Sequence, residues 1–225
     1  RKRGMLTRNQ AHGAPANLLD VYAVADIPET EMFGGPAFPI PGFRRDPKRV
    51  RPADDDPRIC MMAASAAHVA HEPGRQLVSA ESCTWLRNHW RANLGQIKLS
   101  LDLFFLAGVN HLLYHGSCYS PTDAPWPGWY FYASTKMDPR NAIWRDARFL
   151  NEYVARCQSV LQAGRPANDV LVYWPIHDLW TNPKGTAIRC SVHRHSWMTG
   201  QRFGRLAGEL LAKGYAFDFV SDRML

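Results

Sequence analysis

Glu81 is the acidic residue of this sequence whose position best suits catalysis. It follows Gln76–Ala80, a short apolar run that is typical of a buried strand. A carboxylate beside a buried segment is costly unless it is paired, hydrogen-bonded or bound to a metal, so its presence there indicates a chemical role. A structural alternative stays open, because Glu81 would also suit the first turn of a helix beginning at Trp85, where the helix dipole favours a negative charge.

A second acidic group lies a little earlier in the chain. Asp26, Glu29 and Glu31 offer three hard oxygen ligands within six residues, which suits Ca²⁺ or the hydroxyl groups of a sugar. The spacing is not that of an EF-hand loop, and a solvated acidic turn would have the same composition. We predict Glu29 and Glu31 as ligands of Ca²⁺ and Asp26 as a substrate-binding residue.

Other common catalytic patterns are absent from the sequence. There is no G-x-S-x-G nucleophile motif, no glycine-rich phosphate loop and no H-E-x-x-H zinc motif. His111 and His115 would share one face of a strand, but a zinc site built from them is the less favoured interpretation. The five cysteines include no C-x-x-C pair, which favours free thiols over a disulfide framework.

The charge distribution argues against a nucleic-acid partner. The net charge is +7, but the basic run Arg44–Arg51 is broken by Pro47 and followed by acidic residues, which is typical of a solvated loop rather than a binding patch. No apolar run reaches the roughly 18 residues that a membrane span needs. We expect neither nucleic acid nor a membrane span. A signal peptide upstream of residue 1 would favour a periplasmic or extracellular location.

The elements that must position these residues alternate between short apolar strands and amphipathic helices. The predicted strands are Met5–Gln10, Gln76–Ala80, His111–His115, Asp169–Trp174 and Ala216–Val220. The predicted helices are Ala16–Ala25, Ile59–Ala70, Trp85–Ala107, Asn141–Gln162 and Arg205–Ala212. Asp26–Glu31 is predicted as an extended segment or turn, and Gly34–Pro57 as a long loop. This alternation is typical of an α/β fold in which helices cover a parallel sheet.

In a parallel barrel the active site lies at the carboxyl ends of the strands and on the loops that follow them. Polar side chains occur around several of the predicted strands, and we predict four of them as substrate-binding residues. They are Gln10, His12, Asn110 and His115. Trp126 and Trp129 lie in the aromatic loop 117–138 and are candidates for packing against the apolar face of a sugar, although they would equally serve to anchor the loop.

Several motifs together resemble the α-L-rhamnosidases of glycoside hydrolase family 106. The order of these motifs and their spread over about the first half of the chain carry the resemblance. They are Arg8-Asn9-Gln10-Ala11-His12-Gly13, Asp26-Ile27-Pro28-Glu29-Thr30-Glu31, Ser79-Ala80-Glu81-Ser82 with Thr84-Trp85, and Gly108-Val109-Asn110-His111 with Tyr114-His115-Gly116. Asp169–Pro175 and Gly214–Asp218 with Ser221-Asp222 are similar to the segment that follows the barrel.

The resemblance implies a (β/α)8 barrel that cleaves terminal α-L-rhamnose by inversion, with Ca²⁺ at the sugar site. Residues 1–165 would form the C-terminal part of this TIM-type barrel, and residues 166–225 the start of a smaller α/β domain. Glu81 matches the base that activates water. The general acid is expected upstream of residue 1, in an Asp-x-x-Glu segment, so residues 1–225 would be inactive alone.

Two other functions remain open at this point. The first is a retaining, β-galactosidase-like barrel with Glu81 as nucleophile, and the second is a non-catalytic sugar-binding protein on a degenerate barrel. The expected partner in the favoured case is a rhamnosylated oligosaccharide or glycoside.

Overall fold

The computed structural model describes residues 3–33, 55–70, 77–84, 90–129, 131, 133–193 and 195–225. Within these residues the strands form two parallel sheets. The first contains β1 (Arg8–Gln10), β2 (Ile27–Phe33), β3 (Ser79–Thr84) and β4 (His111–Tyr114) in the order β1-β2-β3-β4, and the second pairs β5 (Leu171–Tyr173) with β6 (Asp218–Val220).

Helices connect the strands, so the predicted α/β fold with a parallel sheet is confirmed. They are α1 (Leu18–Ala23), α2 (Pro57–Ala70), α3 (Leu94–Leu106), α4 (Trp144–Ala163), α5 (Ile176–Trp180) and α6 (Arg202–Ala212), with 3-10 turns at Gly185–Ala187 and His195–Trp197. No helix in the described ranges combines the length and apolar character needed to cross a membrane. The predicted loop Gly34–Pro57 lies outside the described residues up to residue 54, and α2 begins at Pro57.

The strand that carries Glu81 extends further than predicted. It begins at Ser79 and continues through Glu81 to Thr84, and both Ser82 and Cys83 are buried. Glu81 is therefore a strand residue. The alternative in which it occupies the first turn of the next helix is wrong.

The helix that follows β3 begins later than predicted. Residues 85–89 lie outside the described residues, and Trp90 has a left-handed φ of 64°, which no helix interior accommodates. Asn93 then caps α3: its side chain accepts a hydrogen bond from the Gln96 backbone N–H, and the Gln96 side chain bonds back to the Asn93 N–H. The reciprocal cap sets the start of α3 at Leu94.

Helix α2 packs between the two sheets. Its residues are small and buried, and they belong to one apolar core that also contains residues of β3 and of β6. The Ser65 hydroxyl accepts a hydrogen bond from the Phe219 backbone N–H at 2.9 Å, and His68 Nδ1 lies 2.9 Å from Asp218 Oδ1. The second sheet is thus attached to the first through α2. The predicted boundary at residues 165 and 166 falls between α4 and β5 and stays a prediction.

Candidate carbohydrate site

The register of the first sheet brings two carboxylates together near its carboxyl edge. Glu31 of β2 lies directly beside Glu81 of β3, and Glu81 lies beside Leu113 of β4. Because side chains alternate along a strand, paired residues on adjacent strands project from the same face. Glu31 and Glu81 are therefore neighbours, as expected from polar residues near the ends of parallel strands.

Gln10 links the two carboxylates from β1. Its Nε2 lies 3.3 Å from Glu31 Oε2 and 3.3 Å from Glu81 Oε2. An amide nitrogen carries two hydrogens, so it can donate one to each carboxylate. On its outer side Glu31 Oε2 also lies 2.7 Å from His12 Nε2.

The other oxygen of Glu81 is held from the opposite direction. The Thr84 hydroxyl donates to Glu81 Oε1 at 3.2 Å, and His115 Nδ1 lies 3.3 Å from both Glu81 Oε1 and Thr84 Oγ1. The result is a continuous hydrogen-bonded chain across the sheet, from His12 after β1 to His115 after β4. We call it the carboxylate chain, and it consists of His12, Glu31, Gln10, Glu81, Thr84 and His115.

A β-bulge lies beside Glu81. The register steps from Glu31 opposite Glu81 to Phe33 opposite Thr84, so β3 contains one more residue than β2 over this stretch. Cys83 has a φ of 69°, in the left-handed region. Bulges of this kind change the direction of the side chains that follow them. No sequence signal marked this one, because the residue in the left-handed conformation is not glycine.

The two carboxylates have different environments. The Glu31 side chain is 7% exposed, whereas the Glu81 side chain is 30% exposed. Burial raises the pKa of Glu31 above its ordinary value; the His12 hydrogen bond opposes this shift, and the neighbouring charge of Glu81 adds to it. Glu81 is thus the carboxylate that a water or a substrate can reach.

The other predicted metal ligand, Glu29, is engaged elsewhere. Its Oε2 accepts a hydrogen bond from the Ser79 hydroxyl at 2.8 Å and lies 3.2 Å from Arg8 Nε. Over the residues that the structure describes, no three His, Cys, Asp or Glu side chains converge as a metal site would require. The carboxylate of Glu31 with the amide oxygen of Gln10 has the donor chemistry that Ca²⁺ prefers, whereas the guanidinium of Arg8 competes with a cation at Glu29.

Comparison with known proteins decides the family. A family model described as alpha-L-rhamnosidase, glycoside hydrolase family 106, matches residues 9–187. The chain belongs to this family.

Two relatives illustrate the match. A protein of Formosa agariphila named "Putative beta-glucuronidase" is 27% identical over 173 residues, covering 76% of this chain and 13% of that protein. The structure of a rhamnosidase from Novosphingobium sp. PP1Y has a TM-score of 0.68 and 20% sequence identity, covering 99% of this chain and 18% of that one. This chain therefore spans less than a fifth of either relative, and the structural likeness shows the fold.

Two predicted substrate-binding residues of this rhamnosidase-family chain lie at the opposite edge of the sheet. Asp26 precedes β2, and its Oδ2 accepts hydrogen bonds from the Thr7 backbone N–H and hydroxyl at 2.9 and 2.8 Å. Asn110 precedes β4, is buried, and accepts from the Val78 N–H at 2.9 Å. The structure does not bring either residue to Glu81, because both lie at the amino ends of parallel strands.

His12 and His115 both contact carboxylates. His12 Nε2 is engaged with Glu31, and its Nδ1 is buried without a partner among the described residues, so the geometry favours a role in holding Glu31 over direct substrate binding. The His115 side chain is 29% exposed and lies beside Glu81. The predicted contact of His115 with a substrate stays a prediction.

The aromatic loop after β4 lies next to the same edge. The Thr135 N–H donates to the His115 carbonyl, and the Ser134 hydroxyl donates to the Gly116 carbonyl. These bonds attach the loop to the end of β4. Phe131, which sequence reasoning missed, is half-exposed and contacts the His115 ring with centroids 5.1 Å apart.

Trp126 and Trp129 are 69% and 62% exposed, which leaves their rings available for stacking. Their proposed contact with a sugar stays a prediction.

Proposed function

We propose that the protein carrying this chain is an inverting glycoside hydrolase that removes terminal α-L-rhamnose from oligosaccharides or other glycosides. Glu81 is the carboxylate that activates the attacking water. The observation that carries the proposal is the placement of Glu81. It is partly exposed near the carboxyl edge of a parallel sheet, and it is oriented by Gln10 of β1, Thr84 of β3 and His115, the residue after β4.

The proposed reaction uses one carboxylate on each side of the scissile bond. Glu81 takes a proton from water as the water oxygen bonds to the anomeric carbon, and a carboxylic acid protonates the departing oxygen as the glycosidic bond breaks. The described residues supply the base. We place the acid in an Asp-x-x-Glu segment upstream of residue 1, and β1–β4 as consecutive strands of a (β/α)8 barrel that the rest of the protein completes.

Ca²⁺ belongs to the same proposal. Glu31 is the carboxylate that would hold the ion, with further oxygen ligands from Gln10, water, the sugar or the remainder of the barrel. Bound there, the ion would supply electrostatic attraction for sugar hydroxyl oxygens. Glu31 itself is suited to this role because its carboxylate is buried and already oriented by His12 and Gln10.

The whole protein with Glu81→Gln tests the proposal, with p-nitrophenyl α-L-rhamnoside as substrate. We expect kcat to fall by roughly 10²- to 10⁴-fold, because general base catalysis contributes about that factor. Glu209→Gln makes the same chemical change on α6 and is the matched control. Equal melting temperatures for both variants exclude unfolding as the cause.

Near-normal turnover by Glu81→Gln would show that Glu81 is not the general base. Binding of rhamnose without turnover by the wild-type protein would favour the non-catalytic sugar-binding alternative. A β-glucuronide belongs in the same assay, because the Formosa agariphila relative is named for that activity. Hydrolysis of the glucuronide but not the rhamnoside would replace the substrate class while leaving the role of Glu81 intact.

A further inference from the structure

The β-bulge in β3 delivers one hydroxyl to Glu81. In a regular strand the residue two positions after Glu81, which is Cys83, would project from the same face. The extra residue in β3 instead puts Thr84 there, with its Oγ1 3.2 Å from Glu81 Oε1. A side chain that a regular strand would direct away from the carboxylate thus becomes its hydrogen-bond donor.

The bulge is fixed by contacts on several sides. The Cys83 carbonyl accepts a hydrogen bond from the Thr135 hydroxyl, and the Ser82 carbonyl accepts one from the His115 N–H at 2.7 Å. The Cys83 side chain is fully buried in an apolar cluster that includes Ile97 and Leu101. Burial raises the pKa of the Cys83 thiol to about 12, so this thiol packs as a neutral group.

A left-handed conformation at a non-glycine residue is strained. Such strain persists only where surrounding contacts hold it, and it is typical of sites where a side chain must be aimed. Here the side chain that it aims is Thr84.

The direction of the hydrogen bonds follows from the number of protons. Thr84 has one hydroxyl hydrogen, and a carboxylate oxygen only accepts, so the hydroxyl donates to Glu81. The Thr84 oxygen then acts as an acceptor toward His115, whose Nδ1 must carry the hydrogen. Thr84 and His115 thus both donate toward Glu81 Oε1, while Gln10 donates to Oε2.

We propose that Thr84 is a positioning residue for Glu81, and that the bulge at Cys83 exists in this fold to place it. The proposal rests on the proposed function of Glu81 as the water-activating base. Thr84 reaches the reaction through Glu81: it restricts rotation of the carboxylate, so that the oxygens keep the orientation that the attacking water needs.

The test compares Thr84→Val, Thr84→Ser and Ser82→Ala in the whole protein. Valine keeps the shape of threonine but has no hydroxyl, and serine restores the hydroxyl. Ser82→Ala is the matched control, because it also removes a hydroxyl from β3. The Ser82 hydroxyl donates to the Leu113 carbonyl and not to the Glu81 carboxylate. p-Nitrophenyl α-L-rhamnoside is the substrate, because its good leaving group needs little help from the acid and the rate then reports on the base.

We expect Thr84→Val to lower kcat by roughly 10- to 100-fold, the loss expected for a hydrogen bond to a charged group, with KM changed by less than about twofold. Thr84→Ser should recover most of kcat, and Ser82→Ala should match the wild type. If Thr84→Val melts below the assay temperature, Thr84→Ala with Thr84→Ser gives the same contrast.

Three results would overturn the assignment: an unchanged kcat in Thr84→Val, an equal loss in Thr84→Ser, or a change confined to KM. Each of them leaves the base role of Glu81 standing. Failure of that role is recognised separately, by turnover in Glu81→Gln.

Discussion

Glu31 and Glu81 are adjacent carboxylates in different environments, and we propose different roles for them. They lie side by side in the register and share one amide donor, Gln10, but Glu31 is buried and Glu81 is open to solvent. Different environments of this kind allow two carboxylates in one site to serve different roles, one in binding and the other in proton transfer. The carboxylate chain therefore divides into a buried half around Glu31 and an accessible half around Glu81.

The raised pKa of Glu31 predicts a pH dependence of stability. Because the folded protein holds the Glu31 proton more tightly than the unfolded chain, ionisation favours unfolding as the pH rises above the unfolded pKa of about 4.5. Glu31→Gln removes this titration. The melting temperature of Glu31→Gln minus that of the wild type should therefore increase from pH 4 to pH 7, with both proteins measured in chelator. A difference that stays constant or decreases would contradict the raised pKa of Glu31.

The same two proteins test the proposed metal. Ca²⁺ added after the chelator should raise the melting temperature of the wild type, because a ligand that binds only the folded state stabilises it. Glu31→Gln should lose this increase, and Glu29→Gln should keep it, because Glu29 is engaged with Arg8 and Ser79. If Glu29→Gln alone lost the Ca²⁺-dependent increase in melting temperature, Glu29 and not Glu31 would be the metal ligand.

At the scale of elements, the turn from α3 to β4 approaches α2 closely. Gly108 has a φ of 90°, and a Cβ added there would lie 2.7 Å from the Ala64 Cβ of α2. Glycine is thus needed here for two reasons, its backbone conformation and the close approach of this turn to α2. Gly214 ends α6 with a φ of 80° but has nothing within 4 Å of an added Cβ.

Alanine at these two glycines separates backbone strain from packing. Gly214→Ala should lower the free energy of unfolding by about 1–2 kcal/mol, the cost of a left-handed non-glycine residue. Gly108→Ala should cost roughly 1–3 kcal/mol more, because α2 must shift to relieve the contact. Chemical denaturation measures the free energy of unfolding of both variants. Equal decreases would show that α2 moves away from residue 108 without a measurable cost.

The elements were predictable where hydrophobic periodicity was strong and less so at their ends. Glu81, Gln10 and His115 could be found as polar residues near the ends of predicted strands, because a parallel sheet gathers those ends at one edge. Glu31 was found from its spacing to Asp26 and Glu29. The role of Thr84 could not be found, because it depends on a bulge at a buried cysteine. The start of α3 was predicted too early because Leu86 and Trp90 precede Leu94 at helical spacing, and the Asn93 cap was not recognised.

At the scale of the whole molecule, α2 lies between the two parallel sheets over the described residues. The carboxylate chain lies near the carboxyl edge of the four-stranded sheet. The family and the parallel α/β architecture follow from the sequence motifs and are supported by the match over residues 9–187. The closed barrel and the acid that would face Glu81 were expected from the resemblance alone and stay predictions.

The stereochemistry of the product tests the central claim most directly. Proton NMR of the whole protein acting on an α-L-rhamnoside shows which anomer of rhamnose forms before mutarotation mixes the two. Because Glu81 is proposed to activate water for direct displacement, β-L-rhamnose should appear first. Initial release of α-L-rhamnose would contradict the account, because retention requires a covalent intermediate and would make Glu81 a nucleophile.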